Sequence, residues 1–228
     1  MRIVLATHNA HKVAEFGGIV AATRPDLEVV GYEGPEPVED GVTFEENALI
    51  KARAAARHTG TPALADDSGI AVDVLGGSPG VFSAYWAGQK KDDVANRELL
   101  LDQLRDIADP HRAARFVSVI ALAHPDGREW TVRGEWPGRL AHQAAGAGGF
   151  GYDPVFVPDG QTAPERTVGS SPRRRSSRSR TAPVPSPSSS RCSPPSDPPA
   201  RRSASRMILI PIPDWAKRRF TRDFPSYA

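Results

Sequence analysis

Cysteine is nearly absent from this chain. Its 228 residues contain a single one, Cys192, near the C-terminus. A disulfide framework and a cysteine-based zinc site are therefore excluded for residues 1–165. Long hydrophobic runs are missing too. Met1-Arg2-Ile3-Val4-Leu5-Ala6 is too short for the apolar part of a secretion signal, and no stretch approaches the ~20 residues of a transmembrane helix. The expectation is a soluble cytoplasmic protein with no membrane partner. Positive charge is scarce in residues 1–165, which hold fifteen Lys and Arg against twenty-four Asp and Glu. Residues 166–228 reverse the balance, with fourteen against three, so the formal +2 joins an acidic body to a basic tail. An acidic body argues against general nucleic-acid binding there and suits a substrate that brings its own cation.

What is present is an alternation of short apolar runs and helical spacings. Residues 2–6 read as a buried strand, 12 to about 22 as a helix with Val13, Phe16 and Val20 on one side, and 27–32 as a second strand. Thr43 followed by Glu46 forms the signature of a capping box, so a helix is expected from 43 to about 58. Residues 63–65 read as a short strand, 92 to about 108 as a helix, and 115–123 with 129–136 as antiparallel strands joined by Pro125-Asp126-Gly127. A glycine-rich loop at 146–151 precedes the apolar run 154–157. Helices alternate with strands early and a hairpin follows, which predicts an α/β fold on a mixed sheet. No internal repeat is present.

Four groups of residues carry chemistry. In Leu64-Ala65-Asp66-Asp67-Ser68-Gly69-Ile70, two adjacent carboxylates follow the expected strand end. They repel each other, and a divalent cation is the usual compensation; hard oxygen ligands select Mg²⁺, which takes one or two carboxylates plus substrate phosphates. The same residues also make an acidic turn. Thr7, Asn9 and Lys12 lie at a strand-to-helix turn, which suits phosphate or serves as an ordinary helix cap with a surface lysine. Glu39 and Asp40 offer a second carboxylate source, or a solvated acidic loop. Asn47 and Lys51 share a helix face, where Lys51 either reaches phosphate or is simply exposed. In Gly148-Gly149-Phe150-Gly151-Tyr152-Asp153-Pro154 the aromatics either stack on a nucleobase or pack a tight core turn.

Thr7-His8-Asn9-Ala10-His11-Lys12, Thr43-Phe44-Glu45-Glu46-Asn47-Ala48-Leu49-Ile50-Lys51-Ala52, Ala65-Asp66-Asp67-Ser68-Gly69-Ile70 and Gly149-Phe150-Gly151-Tyr152-Asp153-Pro154 stand in order and together resemble the inosine/xanthosine triphosphate pyrophosphatases. The resemblance covers residues 1 to about 162. It implies hydrolysis of deaminated purine nucleoside triphosphates (dITP, ITP, XTP) between the α- and β-phosphates. It implies an elongated α/β fold of two lobes around a deep cleft, bound Mg²⁺ and a homodimer. Asp67 matches the general base and a metal ligand, and Glu39 the other metal carboxylate. Thr7, His8, Asn9, Ala10, His11 and Lys12 match the triphosphate turn, Ser68 a substrate contact, and Phe150, Gly151, Tyr152 and Asp153 the base-binding loop. At Ser83-Ala84-Tyr85-Trp86 the chain departs from the family's frequent Ser-Ala-Arg. The competing enzyme class is the Maf-type nucleotide pyrophosphatases, against which the Phe150-Gly151-Tyr152-Asp153 loop argues.

After about Glu165 the composition turns to Arg, Ser and Pro with no hydrophobic period, which predicts disorder for residues 166–206 and little structure in 207–228. The family continues instead with an acidic helical segment, a lysine and a Ser-His-Arg that touch substrate. Codons permitted for residues 173–185, read from the third base of the first, spell Glu-Lys-Glu-Leu-Ala-Ile-Ser-His-Arg-Ala-Arg-Ala. A frameshift between residues 162 and 173 is therefore expected, dividing the chain into a pyrophosphatase domain at 1–165 and an out-of-frame tail at 166–228. The rival reading is a basic tail that binds nucleic acid or an acidic partner.

Overall fold

The computed structural model describes residues 1–22, 24–161 and 165–170. Strand β1 (Arg2–Leu5) leads through a turn to helix α1 (Ala10–Ala21), β2 (Glu28–Gly31) follows, and then helix α2 (Phe44–Thr59). The capping box is formed in full: Thr43 accepts from the Glu46 amide, and the Glu46 carboxylate accepts from the Thr43 amide. Gly60 ends α2 in the left-handed conformation at φ +63°. Strands β3 (Ala63–Val72), β4 (Ala113–Ala123), β5 (Glu129–Leu140) and β6 (Phe156–Pro158) complete the sheet, with helix α3 (Asp93–Gln103) between β3 and β4. The order is β2-β1-β3-β4-β5-β6; β1 is parallel to β2 and β3, and the remaining pairs are antiparallel.

Three of the expected elements differ in extent by more than two residues. Helix α3 stops at Gln103 rather than near 108, and β5 continues to Leu140. Strand β3 does not end at 65 but runs through both carboxylates to Val72, paired with β4 along its whole length. The pair Asp66-Asp67 therefore lies in mid-strand, not at a strand exit. Strand period two sends the adjacent side chains to opposite faces.

Each face has its own helix. On one, Ala48, Ala52, Ala55 and Ala56 of α2 pack on Ala63, Ala65, Val117, Val119 and Ala121, small side chains that bring the helix close to the sheet. On the other, Phe16 and Val20 of α1 cover Ile3, Leu5, Leu64, Ile120 and Leu122. A third core lies at the far end of β3 and β4, where Ile70, Val72, Phe116, Leu100, Leu140, Tyr152 and Phe156 meet. The molecule is thus two packed lobes sharing β3, β4 and β5, with the carboxylates where they join.

The polypeptide remains ordered past the expected boundary at 165. Thr167 is buried, and residues Val168–Ser170 form a 3₁₀ turn against the body. The Thr167 hydroxyl donates to the Ala145 carbonyl at 2.7 Å, and the Gly169 amide to the Asp153 carbonyl at 2.9 Å. The expectations for 171–206 and 207–228 lie outside the described residues.

Candidate active site

Strand alternation gives the two aspartates different partners. Asp66 faces α1, where Lys12 Nζ donates to both of its oxygens at 3.0 and 2.8 Å. Both side chains are buried. Burial alone would raise the Asp66 carboxyl, but the Lys12 and Lys51 ammoniums outweigh it and hold it below the usual range. Asp67 faces α2, where Lys51 Nζ donates to its Oδ1 at 3.1 Å and to Glu39 Oε2 at 2.9 Å. The repulsion that called for a cation is therefore relieved by geometry and by one lysine per face.

Around Asp67 the electrostatics favour a base. Burial pushes its carboxyl up to about 6; Lys51 opposes the rise, and the charges of Glu39 and Asp66 add to it. Burial would lower the Lys51 ammonium, yet Asp67, Glu39 and Asp66 together hold it above its ordinary value. Glu39 comes from the loop between β2 and α2. That loop is fastened where the Gly41 amide donates to Asn47 Oδ1 at 2.9 Å and the Val42 amide to Glu46 Oε2 at 2.7 Å. Asn47, paired with Lys51 in the sequence, thus holds the loop rather than a ligand. Asp40 is exposed beside Glu39.

Gly69 explains its place in the motif. A Cβ there would stand 2.4 Å from Ser83 Oγ and 2.6 Å from the Gly80 carbonyl. Its absence lets the 3₁₀ segment Gly80–Tyr85 settle on β3, where Ser83 Oγ accepts the Ile70 amide at 2.9 Å. Tyr85 then comes within electrostatic reach of the site: burial raises its hydroxyl, and the charges of Glu39 and Asp67 raise it further. In the sequence Tyr85 was marked only by the departure from the family's frequent Ser-Ala-Arg. Ser68 points to the Asp66 face, opposite Asp67, by the same alternation.

The turn after β1 is pre-capped. Asn9 Oδ1 accepts the His11 amide at 2.9 Å and the Lys12 amide at 3.4 Å, and Thr7 Oγ1 accepts the Asn9 amide at 3.2 Å. Lys12 is 3% exposed and committed to Asp66, not the surface lysine of one reading. Ala10 and His11 are exposed at the helix start. His8 stacks on Tyr32 with ring centroids 5.9 Å apart, and its nitrogens meet Glu36 Oε1 at 3.0 Å and the Gly34 carbonyl at 2.9 Å. These groups wall an open pocket bordered by Thr7, His8, Tyr32, Glu36, Glu39 and Lys51. Tyr32 carried no signal in the sequence beyond its place at the end of the expected strand 27–32, and Glu36 none.

The loop after β5 approaches from the other lobe. Phe150 is half-buried, with its amide donating to Asp153 Oδ2 at 3.2 Å. Tyr152 is 1% exposed and donates its hydroxyl to the Ser83 carbonyl at 3.0 Å, so it supports the loop from within the core. Burial lifts the Asp153 carboxyl to about 6, against the hydrogen bond from Phe150 and with the help of the Asp93 charge.

The family model for the Ham1 family matches residues 3–180 of this chain. The chain belongs to the Ham1 family. Among its Ham1 relatives, the dITP/XTP pyrophosphatase of Leifsonia xyli subsp. xyli is 57% identical over 169 residues, covering 74% of this chain and 85% of the relative. That of Streptomyces coelicolor is 53% identical over 165 residues, covering 71% and 82%. The crystal structure of a nucleoside-triphosphatase / dITP/XTP pyrophosphatase from Mycobacterium abscessus superposes with a TM-score of 0.68 at 46% identity, over 76% of this chain and 90% of that one. A HAM1 protein from Coxiella burnetii superposes with a TM-score of 0.69 at 36% identity, over 76% and 88%. Membership of the Ham1 family disfavours the Maf-type alternative. No helix among the described residues is long and apolar enough to cross a membrane.

Proposed function

We propose that this Ham1 protein hydrolyses deaminated purine nucleoside triphosphates (dITP, ITP and XTP) to the monophosphate and pyrophosphate. The observation that carries the reading is Asp67 held by Lys51, which together with Glu39 lines a pocket bounded by the Thr7–His8 turn. Asp67 takes a proton from the attacking water, whose oxygen bonds to the α-phosphorus. The α–β bridging oxygen departs with pyrophosphate. A base poised near 6 is largely ionised at neutral pH and still accepts a proton efficiently. Lys51, protonated between two carboxylates, supplies positive charge beside the triphosphate. Phe150 offers its ring to the purine.

Mg²⁺ is the proposed cofactor, and the donor set fits it. Glu39 and Asp67 converge on one cation, the Lys51 ammonium, with hard oxygens. Among the described residues no group of three or more His, Cys, Asp or Glu forms a closed metal cage. Two carboxylates with the remainder of the shell left to water and phosphate is the usual Mg²⁺ arrangement. Bound by Glu39 and Asp67, the ion would neutralise phosphate charge and acidify water. A homodimer and a cytoplasmic location complete the proposal.

The deciding experiment incubates the purified chain with Mg²⁺ and a panel of dITP, XTP, dATP, dGTP and pyrimidine triphosphates, scoring pyrophosphate and orthophosphate separately. Pyrophosphate released from dITP and XTP in preference to the rest is expected. Orthophosphate as first product, or preference for pyrimidines, would overturn the reading.

A further inference from the structure

Helix α3 lies outside every motif described above, yet one of its faces grips the loop that carries Phe150. Asp93 and Arg97 stand one helical turn apart on that face. Asp93 Oδ2 accepts the Gly151 amide at 3.2 Å, and Arg97 Nη1 donates to the Gly151 carbonyl at 3.0 Å. The peptide groups on both sides of the Gly151 α-carbon are therefore fixed by a single rigid element. Gly151 sits at φ +54°, a conformation that side chains disfavour, so the loop turns sharply where it is held. Just before it the Phe150 amide is tied to Asp153, and just after it Tyr152 is tied to Ser83. The clamp is itself anchored: Asn96 Nδ2 donates to the Ala84 carbonyl at 2.9 Å and Asn96 Oδ1 accepts the Ala87 amide at 2.6 Å. The direction in which Phe150 projects thus depends on α3.

We propose that Asp93 and Arg97 are positioning residues for base selection, holding the Phe150-Gly151 loop in the orientation that receives the purine. The inference rests on the dITP/XTP reading above. Hypoxanthine and guanine differ by one exocyclic amino group, and a site distinguishes them only when its groups are held to a fraction of an ångström. Release of the clamp lets the loop adapt to either base. It leaves Asp67, on β3 where the two lobes join, where it was.

The test uses the full chain with Arg97→Ala, Arg97→Lys and Asp93→Ala. Steady-state kinetics with dITP and dGTP are read beside hydrogen exchange of residues 148–153. Loss of one charge-assisted hydrogen bond should raise KM for dITP about tenfold with kcat within about twofold. The dITP-to-dGTP ratio of kcat/KM should fall, and exchange in the loop should quicken. Arg97→Lys, which keeps a donor, should recover most of the loss. Unchanged KM and base ratio, unchanged exchange, or a fall in kcat with KM intact would each overturn the proposal. A wild-type chain without dITP turnover overturns the functional reading itself; turnover with an indifferent Arg97→Ala overturns this inference alone.

Discussion

At the scale of single residues, the site depends on how one strand distributes charge. Asp67→Asn removes the proton acceptor and should lower pyrophosphate release by at least about 100-fold in the panel assay. Wild-type activity should climb as pH rises through about 6, where Asp67 ionises. Lys12 and Asp66 have each lost water to the other. Lys12→Met alone should cost roughly 3–5 kcal/mol in urea unfolding, because Asp66 is left charged and buried, whereas Lys12→Met with Asp66→Leu should recover most of it. Asp153 makes a linkage prediction. Its folded pKa is raised from 3.8 to about 6, so the fold binds its proton more tightly than the unfolded chain does. The resulting stabilisation is full below about pH 4 and is lost as pH rises through 6. The shift corresponds to roughly 3 kcal/mol. Melting curves should show Asp153→Asn gaining on wild type at pH 8 relative to pH 5. Asp67, Lys51 and Phe150 stood out in the sequence because each sits in a dense short motif, and Glu39 because it adjoins Asp40 ahead of the capping box. The pairing of Lys12 with Asp66 was not legible there, since it joins residues 54 positions apart.

At the scale of elements, the caps and ties keep loops in register with the strands. The Thr43–Glu46 box starts α2, and through Val42 and Asn47 the same helix turn fixes the loop bearing Glu39. Asn47→Ala would leave the Gly41 amide without its acceptor, a loss of about 1–3 kcal/mol if the group stays buried. It should also raise the Mg²⁺ concentration for half-maximal activity several-fold; an unchanged Mg²⁺ titration would show that the loop holds Glu39 by other means. The capping box could be read from two residues at fixed spacing because its partners are local. The extent of β3 could not. Asp66, Asp67, Ser68 and Gly69 have poor strand propensity and favour a turn, and only ten residues of continuous pairing with β4 keep them extended.

At the scale of the whole molecule, the lobe that carries the Phe150 loop is closed by the segment that follows β6. Thr167 and Gly169 fasten to Ala145 and Asp153, and the Gly169 carbonyl accepts the Gly148 amide at 2.9 Å. A chain ending at 165 should therefore melt several degrees below one ending at 170, at about 2–4 °C per kcal/mol for a chain of this size. The same pair tests the basic tail: salt-sensitive DNA or RNA binding that vanishes in both shortened chains would support the rival reading of residues 171–228. Resequencing the codons for residues 155–190 should restore a frame that ends in Ser-His-Arg. If the sequence stands, the chain should show weakened turnover or poor discrimination against dATP and dGTP. What the sequence determined by itself was whatever is local: the helix starts, the acidic body, the short motifs and the family they point to. What the tertiary structure decided was which charges meet. Period-two geometry sends Asp66 and Asp67 apart, a missing Cβ at Gly69 admits Tyr85 to the site, and α3 clamps a loop more than fifty residues away. Such contacts are set by pairing and packing in three dimensions, and linear spacing holds no record of them.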